Sequence, residues 1–404
     1  MDDEAGTAKG GRDDRWRRRL HIPAGGAEAE AALESVELEG VEPEAPVAPS
    51  PEQRIEQARE EMRRIVMGRL GGDAALLEAV DSVRLTGEEA VQLLRDGDAE
   101  IGEDQAVALE VIVAFDGTRP SFLIRDGEID LDSSLTSPDW RTTLQPHLTG
   151  LANMAACVGR VELGNRHIGT AFLIAPTLAL TNRHVVQAIA DFGSEPPDLL
   201  GSCFLDFGRE HQGRDSHDRR EILAILGAGT RPIVNPIDHS KFDAALIEVT
   251  PSTLAGEAAD RHLAPAGGTG ILPFGGLAAA IGYPASWRTY VPAALRTRHE
   301  ELLEQLLAGD GGTKRFAPGE SSGMAADPPG WTGKHDATTL NGNSGSPMLL
   351  LKREAIETVG LHYGGQWVGD RVNWAHVLAK CGDAQFRGDG ATFATVLAER
   401  GVAG

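Results

Sequence analysis

The chain has 404 residues, 41% of them hydrophobic, which is enough for a large core and more than one domain, and no apolar run is long enough to span a bilayer. A net charge of −22 argues against nucleic acid or an anionic membrane surface as the main partner. Three cysteines, Cys157, Cys203 and Cys381, are too few and of the wrong parity for a disulfide framework, and no apolar signal-peptide core follows the polar start Met1-Asp2-Asp3-Glu4, so a cytoplasmic, reducing setting is expected.

In chain order, residues 1–49 read as a disordered arm, because residues 24–49 are rich in Ala, Glu, Pro and Gly with no aromatic side chain to bury. Arg12, Arg15, Arg17, Arg18 and Arg19 form a basic cluster in it, read as a solvated arm. Residues 50–150 read as a mostly helical module with a short strand. Ser50 can cap a helix, Pro51 suits its first position and Gln53 completes a capping box. Ile55, Ala58, Met62, Ile65 and Val66 then share one face, and Gly71-Gly72 end the helix. A short helix is expected over about 74–83, another from Thr86 through Leu94, and a third over 105–115. Asp126-Gly127 comes after a strand at 121–125, and Pro138-Asp139-Trp140 opens a helix with Trp140, Leu144, Leu148 and Leu151 on one side. This module carries no chemical motif. It braces the β-rich remainder of the chain, or residues 50–103 recruit an adaptor or sensor protein.

From Ala156 the pattern changes to short strands separated by Gly and Pro turns, the mark of a mainly β architecture. Strands are expected over 158–163, 171–174, 179–181, 203–207, 221–226, 244–249, 277–283, 348–351 and 358–361. Within this region Asn341-Gly342-Asn343-Ser344-Gly345-Ser346-Pro347 holds a serine between small residues. That is what an acyl-transfer nucleophile needs: a hydroxyl clear of its neighbours, and a backbone turn tight enough for two N–H groups, from Gly342 and Ser344, to converge as an oxyanion hole. An ordinary Gly/Asn/Ser turn is the plain alternative. Upstream stand Thr181-Asn182-Arg183-His184-Val185-Val186, and then Asp243 opening the run Ala244–Val249, so a histidine, an acid and a serine occur in that order.

With Gly282-Tyr283-Pro284 and Gly360-Leu361-His362-Tyr363-Gly364-Gly365, these blocks make the chain resemble the trypsin-like serine peptidases, and more closely their bacterial glutamyl-endopeptidase-like branch. The resemblance spans roughly residues 155–400. It implies a two-barrel chymotrypsin/trypsin-like fold over 151–404, with six strands in each barrel and the active site in the cleft between them. It makes Ser344 the nucleophile, His184 the general base and Asp243 the group that orients the imidazole, with Gly342 and Ser344 as the oxyanion hole. Gly364 and Gly365 would lie along the substrate backbone, and Thr338, Thr339 and His362 would line the specificity pocket. Thr338 is neutral where a basic-specific enzyme needs a carboxylate, whereas Thr339 and His362 can donate to an acidic side chain. Asn343 replaces the aspartate that zymogen-type relatives pair with a freed N-terminus, so that switch is not available.

Protein or peptide substrates are expected, with no cofactor, no metal, no nucleic acid and no membrane. His211, His217, His239, His262, His299, His335 and His376 are scattered without metal-ligand spacing. Residues 285–335 read as an insertion with a helix over 294–307, beside the cleft by topology and so placed to act as a lid or a substrate-shaping loop. A protease behind a helical adaptor also suits a bacterial stress or conflict system. A catalytically silent fold used as a protein-binding module is the alternative function.

Overall fold

Ser50 starts the ordered helices by the capping box its neighbours promise. In the computed structural model, which describes residues 16, 17, 20, 22, 49–96, 100–212, 218–234, 237–266, 272–285, 297–308, 312–353, 355–366 and 372–402, Gln53 N donates to Ser50 Oγ at 3.3 Å and Ser50 N donates to Gln53 Oε1 at 2.8 Å. The helix so begun, α1 (Pro51–Arg69), buries Ile55, Ala58, Met62, Ile65 and Val66. Next come α2 (Ala74–Asp96) and α3 (Glu103–Phe115). The chain divides into two compact units, one of Met1–Thr118, Pro292–Leu306 and Gln366–Arg371 and one of Arg119–Val291, Leu307–Gly365 and Val372–Gly404.

In the first unit, α2 is one helix where two were expected. Gly87, read as part of a helix start, lies mid-helix, and a Cβ there would meet Ile112 Cδ1 at 2.3 Å. The glycine makes room for α3 and does not end α2. α3 is buried from Ala106 to Phe115, so its sequence shows little amphipathic pattern. Buried Arg54 of α1 pairs with Asp116 at 2.6 Å, at the C-cap of α3. The insertion helix Arg298–Ala308 contributes His299, with Nε2 3.1 Å from Ser82 Oγ and Nδ1 3.1 Å from Asp104 Oδ1.

The arm corrects an expectation. Trp16 and Leu20 are fully buried, Ile22 nearly so, and Arg17 Nε donates to Leu94 O at 2.9 Å. Trp16 and Leu20 are four residues apart, one helical face, and the arginines around them made a packing segment look like a solvated one. Arg12, Arg15, Arg18, Arg19 and nearly all the rest of residues 1–49 lie outside the described residues.

The second unit begins at Arg119, so residues 119–150 group with the barrels and not with the helical module. Strands β1 (Phe122–Arg125) and β2 (Glu128–Asp130) form a hairpin on Asp126-Gly127, whose φ values of 50° and 82° suit a tight two-residue turn. Two helices come next, Pro138–Leu144 and Leu148–Ala156, broken by the short turn Gln145–His147 that contains Pro146; Trp140, Leu144 and Leu151 are buried as expected.

The first barrel uses β3 (Val158–Leu163), β4 (Arg166–Ala175), β5 (Leu178–Thr181), β8 (Cys203–Asp206), β9 (Arg219–Ala228) and β10 (Ala245–Val249), closed in the order β10-β5-β4-β3-β8-β9. A small hairpin, β6 (Ala190–Asp191) with β7 (Asp198–Leu199), stands outside it. The second barrel uses β11 (Phe274–Gly282), β12 (Arg315–Met324), β13 (Thr332–His335), β14 (Pro347–Lys352), β15 (Ala355–Gln366) and β16 (Val372–Val377), and β11–β12 pairing closes the ring. The two-barrel expectation holds. Much of the supposed insertion is barrel: β12 and β13 lie inside it. Pro318 and the small residues Gly319, Ser321, Ser322 and Gly323 disguise β12 as a loop.

One apolar core joins Phe122, Phe172, Ile281, Phe316 and Leu349 to the terminal helix Phe393–Glu399. A second, with Val161, Leu173, Val185 and Ile247, fills the first barrel. The three cysteines are buried free thiols. Among the described residues no helix is long and apolar enough to cross a membrane.

Candidate active site

Strand register brings His184 and Asp243 together. Ala245, first in β10, pairs with Thr181, last in β5, so the residues just after β5 face those just before β10. Asn182 immediately precedes the short helix Arg183–Gln187; its side chain makes no capping bond, and its Nδ2 donates to Asp243 O at 2.7 Å. His184 N donates to Asp243 Oδ1 at 2.9 Å, and His184 Nδ1 lies 2.6 Å from Asp243 Oδ2. Both carboxylate oxygens are thus engaged by one residue, which fixes the imidazole plane and leaves Nε2 facing away from the acid. Asp243 is only 2% exposed. Burial pushes its carboxyl up, but the His184 charge, the two His184 hydrogen bonds and His376 together hold it below the ordinary range.

His376, set aside from sequence, closes the far side. Its Nε2 accepts the Asp243 backbone N–H at 3.0 Å, and its ring stacks on Tyr363 with centroids 4.3 Å apart. Burial lowers its pKa to about 4, so it is neutral. Tyr363 Oη in turn lies 2.6 Å from His239 Nδ1.

Ser344 sits on a turn that only small residues allow. Gly342 and Gly345 have φ of +84° and +91°. A Cβ on Gly345 would meet Thr170 O at 1.8 Å, and one on Gly342 would meet Tyr283 O at 2.5 Å. Thr170 of β4 clamps the turn from the first barrel: its N donates to Ser344 O at 2.9 Å and its Oγ1 donates to Gly342 O at 2.6 Å. Within the turn, Asn343 N donates to Leu340 O, Gly345 N to His362 O and Ser346 N to Asn343 O. The N–H groups of Gly342 and Ser344 have no backbone acceptor among the described residues. Gly282 is required as well, since a Cβ there would lie 2.0 Å from Ser346 Oγ. Tyr283, the next residue, is fully buried and its Oη donates to Gly208 O at 2.8 Å, a structural role.

Thr338, Thr339 and His362, expected to line a specificity pocket, are buried and their side chains already have partners. Thr338 Oγ1 donates to Arg119 O at 2.8 Å and Thr339 Oγ1 donates to Asn373 Oδ1 at 2.8 Å. His362 Nδ1 lies 3.2 Å from His335 Nε2. Burial, then the charges of His335 and His184, drive the His362 pKa well below its ordinary value, so this imidazole is neutral. His335 lies at the end of β13 opposite Asn373 of β16, a pairing the sequence did not expose. Gly364 and Gly365 lie on β15, half-buried, and a Cβ on Gly365 would meet Asn373 Oδ1 at 2.1 Å.

A model of the trypsin-like peptidase domain matches residues 169–356. A probable serine protease of Lysobacter enzymogenes is 31% identical over 297 residues, covering 67% of this chain and 73% of that protein. Two solved structures align at low identity. The inactive form of Rv3671c protease is 16% identical with a TM-score of 0.36, over 62% of this chain and 95% of that one. Neuropsin, a serine protease of mouse brain, is 15% identical with a TM-score of 0.37, over 56% and 92%. The chain belongs to the trypsin-like serine peptidases. Its activity class is that of a serine protease, a hydrolase.

Proposed function

We propose that the chain is a serine endopeptidase in which Ser344 attacks the scissile carbonyl and His184 accepts its proton, then returns it to the leaving amine. Asp243 holds the imidazole tautomer and stabilises the imidazolium. The N–H groups of Gly342 and Ser344 receive the oxyanion. The observation that carries this reading is the two-point contact between His184 and Asp243, at 2.9 and 2.6 Å. It sets the proton-bearing nitrogen toward the acid, as a general base for a hydroxyl requires. In this reading the substrate backbone pairs with β15 at Gly364 and Gly365. Three buried free thiols suit a reducing, cytoplasmic setting.

The test is hydrolysis of an unfolded protein substrate. Ser344→Ala should abolish cleavage and leave the melting profile intact, and Asp243→Asn should slow it by about 10⁴-fold, because the imidazole is then held in the wrong tautomer. Full activity in either variant refutes the assignment.

Cleavage after acidic residues is the finer reading. Thr338 offers no carboxylate for a basic side chain, and with the Thr339 hydroxyl donating to Asn373 the acidic reading rests on His362. His362 is neutral when the pocket is empty. A glutamate side chain arriving beside it favours the protonated ring, so binding takes up a proton. KM for a Glu peptide should therefore rise, relative to KM for the matched Gln peptide, as pH increases above the lowered His362 value of the empty pocket. His362→Ala should erase the difference. Equal or faster turnover of Arg, Phe or Ala peptides refutes acidic specificity and leaves the triad untouched.

A further inference from the structure

Away from the serine turn, a groove of about 760 Å³ opens on the first barrel. Its walls are largely apolar, with Phe192, Pro196, Pro197, Ile225, Pro232 and Phe386 among them. Arg183 lines it and is only 5% exposed. Its Nε is buried with no hydrogen-bond partner among the described residues, and its guanidinium stands over the Phe192 ring at 4.2 Å. Burial lowers the Arg183 pKa, and the charge of Asp243 acts in the opposite direction. An N–H buried without an acceptor costs about 1–3 kcal/mol unless something supplies one.

Other charges line the same groove. Arg400 is exposed there. Arg387 is already engaged by Glu399 and Asp389, each at 2.8 Å. Exposed Glu195 leans over Gly388, where a Cβ would meet its Oε1 at 2.8 Å, so its carboxylate is turned toward the loop at Gly388.

We propose that this groove is an exosite for a peptide segment that presents a carboxylate side chain between apolar residues, the carboxylate seated on Arg183 and the apolar flanks on Phe192, Pro196 and Phe386. The shape and charge match that chemistry: an apolar trough with one desolvated guanidinium in it is suited to a single acidic group on an otherwise apolar strand, and a bidentate carboxylate would satisfy the fork. Arg183 immediately precedes His184. The helix they share is tied to the neighbouring loop through Gln187, whose side chain bonds Ile233 O at 3.0 Å and Ile233 N at 2.9 Å. An occupant thus docks on the element that carries His184. The inference does not depend on the triad assignment, because its readout is binding.

The probe is a fluorescein-labelled, C-terminally amidated peptide of sequence leucine, proline, glutamate, phenylalanine, proline, compared with the same peptide carrying glutamine. Binding is followed by fluorescence anisotropy on the Ser344→Ala protein, so that cleavage cannot interfere. The glutamate peptide should bind saturably and at least about tenfold more tightly than the glutamine peptide, the worth of a charge-assisted pair. Arg183→Met should remove that preference. Ala224→Glu, which puts a like charge on the groove wall, should abolish binding with an unchanged melting profile. Absence of saturable binding overturns the proposal, as does equal affinity for the two peptides or a folded Arg183→Met protein that keeps the preference. Inorganic phosphate displacing the peptide at a similar concentration would make this an anion site with no peptide specificity and would also overturn it. If Arg183→Met does not fold, Ala224→Glu decides: loss of binding supports the exosite and unchanged binding overturns it.

Discussion

His376 offers a titration that can be separated from everything around it. Its ring is completely buried, its Nε2 accepts the Asp243 N–H, and its Nδ1 has no partner among the described residues. Burial is the main cause that takes its pKa from the ordinary 6.5 to about 4, with the nearby Asp243 charge opposing and His239 reinforcing the drop. Above pH 6.5 the residue is neutral in both folded and unfolded chains and contributes no pH dependence. As pH falls toward about 4 the unfolded chain takes up a proton that the folded chain refuses, so stability declines through that window and levels off below it. From 6.5 to about 4 is roughly 2.5 pH units, which at about 1.36 kcal/mol per unit comes to about 3.4 kcal/mol. His376→Gln keeps an oxygen able to accept the Asp243 N–H and does not titrate. Urea unfolding followed by circular dichroism should place the variant within about 1 kcal/mol of the parent at neutral pH. Toward pH 4 the variant should lose about 3 kcal/mol less than the parent. Parallel stability profiles for the two proteins would refute the assignment of a neutral, proton-refusing His376.

Particular contacts set the remaining expectations. Trp16→Ala should cost about 3–5 kcal/mol in the helical unit, since Trp16 is fully buried, and deletion of residues 1–22 should lower the melting temperature; an unchanged melt would show that the segment does not hold the unit together. Gly345→Ala forces a side chain toward Thr170 O at a φ of +91°, so the turn must shift, and kcat/KM should fall by at least about 10² with the protein still soluble. Gly87→Ala should destabilise by about 1–3 kcal/mol through the Ile112 Cδ1 clash. Ile112→Val deletes that atom, so the double variant should cost less than the sum of the single ones, and strict additivity would remove the close-packing role of Gly87.

Short blocks with special backbone needs were legible in the sequence. The turn around Ser344 demands glycine at 342 and 345. Capping at Ser50 was equally local. The acid before β10 is held against His184 by the pairing of β5 with β10, two mostly apolar, buried strands whose sequences name no partner. What stayed hidden depends on distant partners. His335 and His376 look like any other histidine until β13, β15 and β16 stand side by side. Thr170 and Gly282 are unremarkable residues in strands until the serine turn is laid against them. β12 was lost because Pro318 and its small neighbours imitate a loop, and its partner strands lie more than thirty residues away on one side. Trp16 and Leu20 were masked by arginines, since charge dominates a compositional reading while a two-residue apolar face at i, i+4 contributes little to it.

The central claim is that Ser344 is a nucleophile activated by His184 and Asp243, and covalent labelling tests it most directly. A fluorophosphonate probe added to the folded protein, with peptide mass mapping of the product, should place one adduct on Ser344. Labelling should be absent in Ser344→Ala and slowed by orders of magnitude in His184→Ala, with both variants melting like the parent. A folded parent that takes up no probe, or takes it up at another residue, contradicts the account.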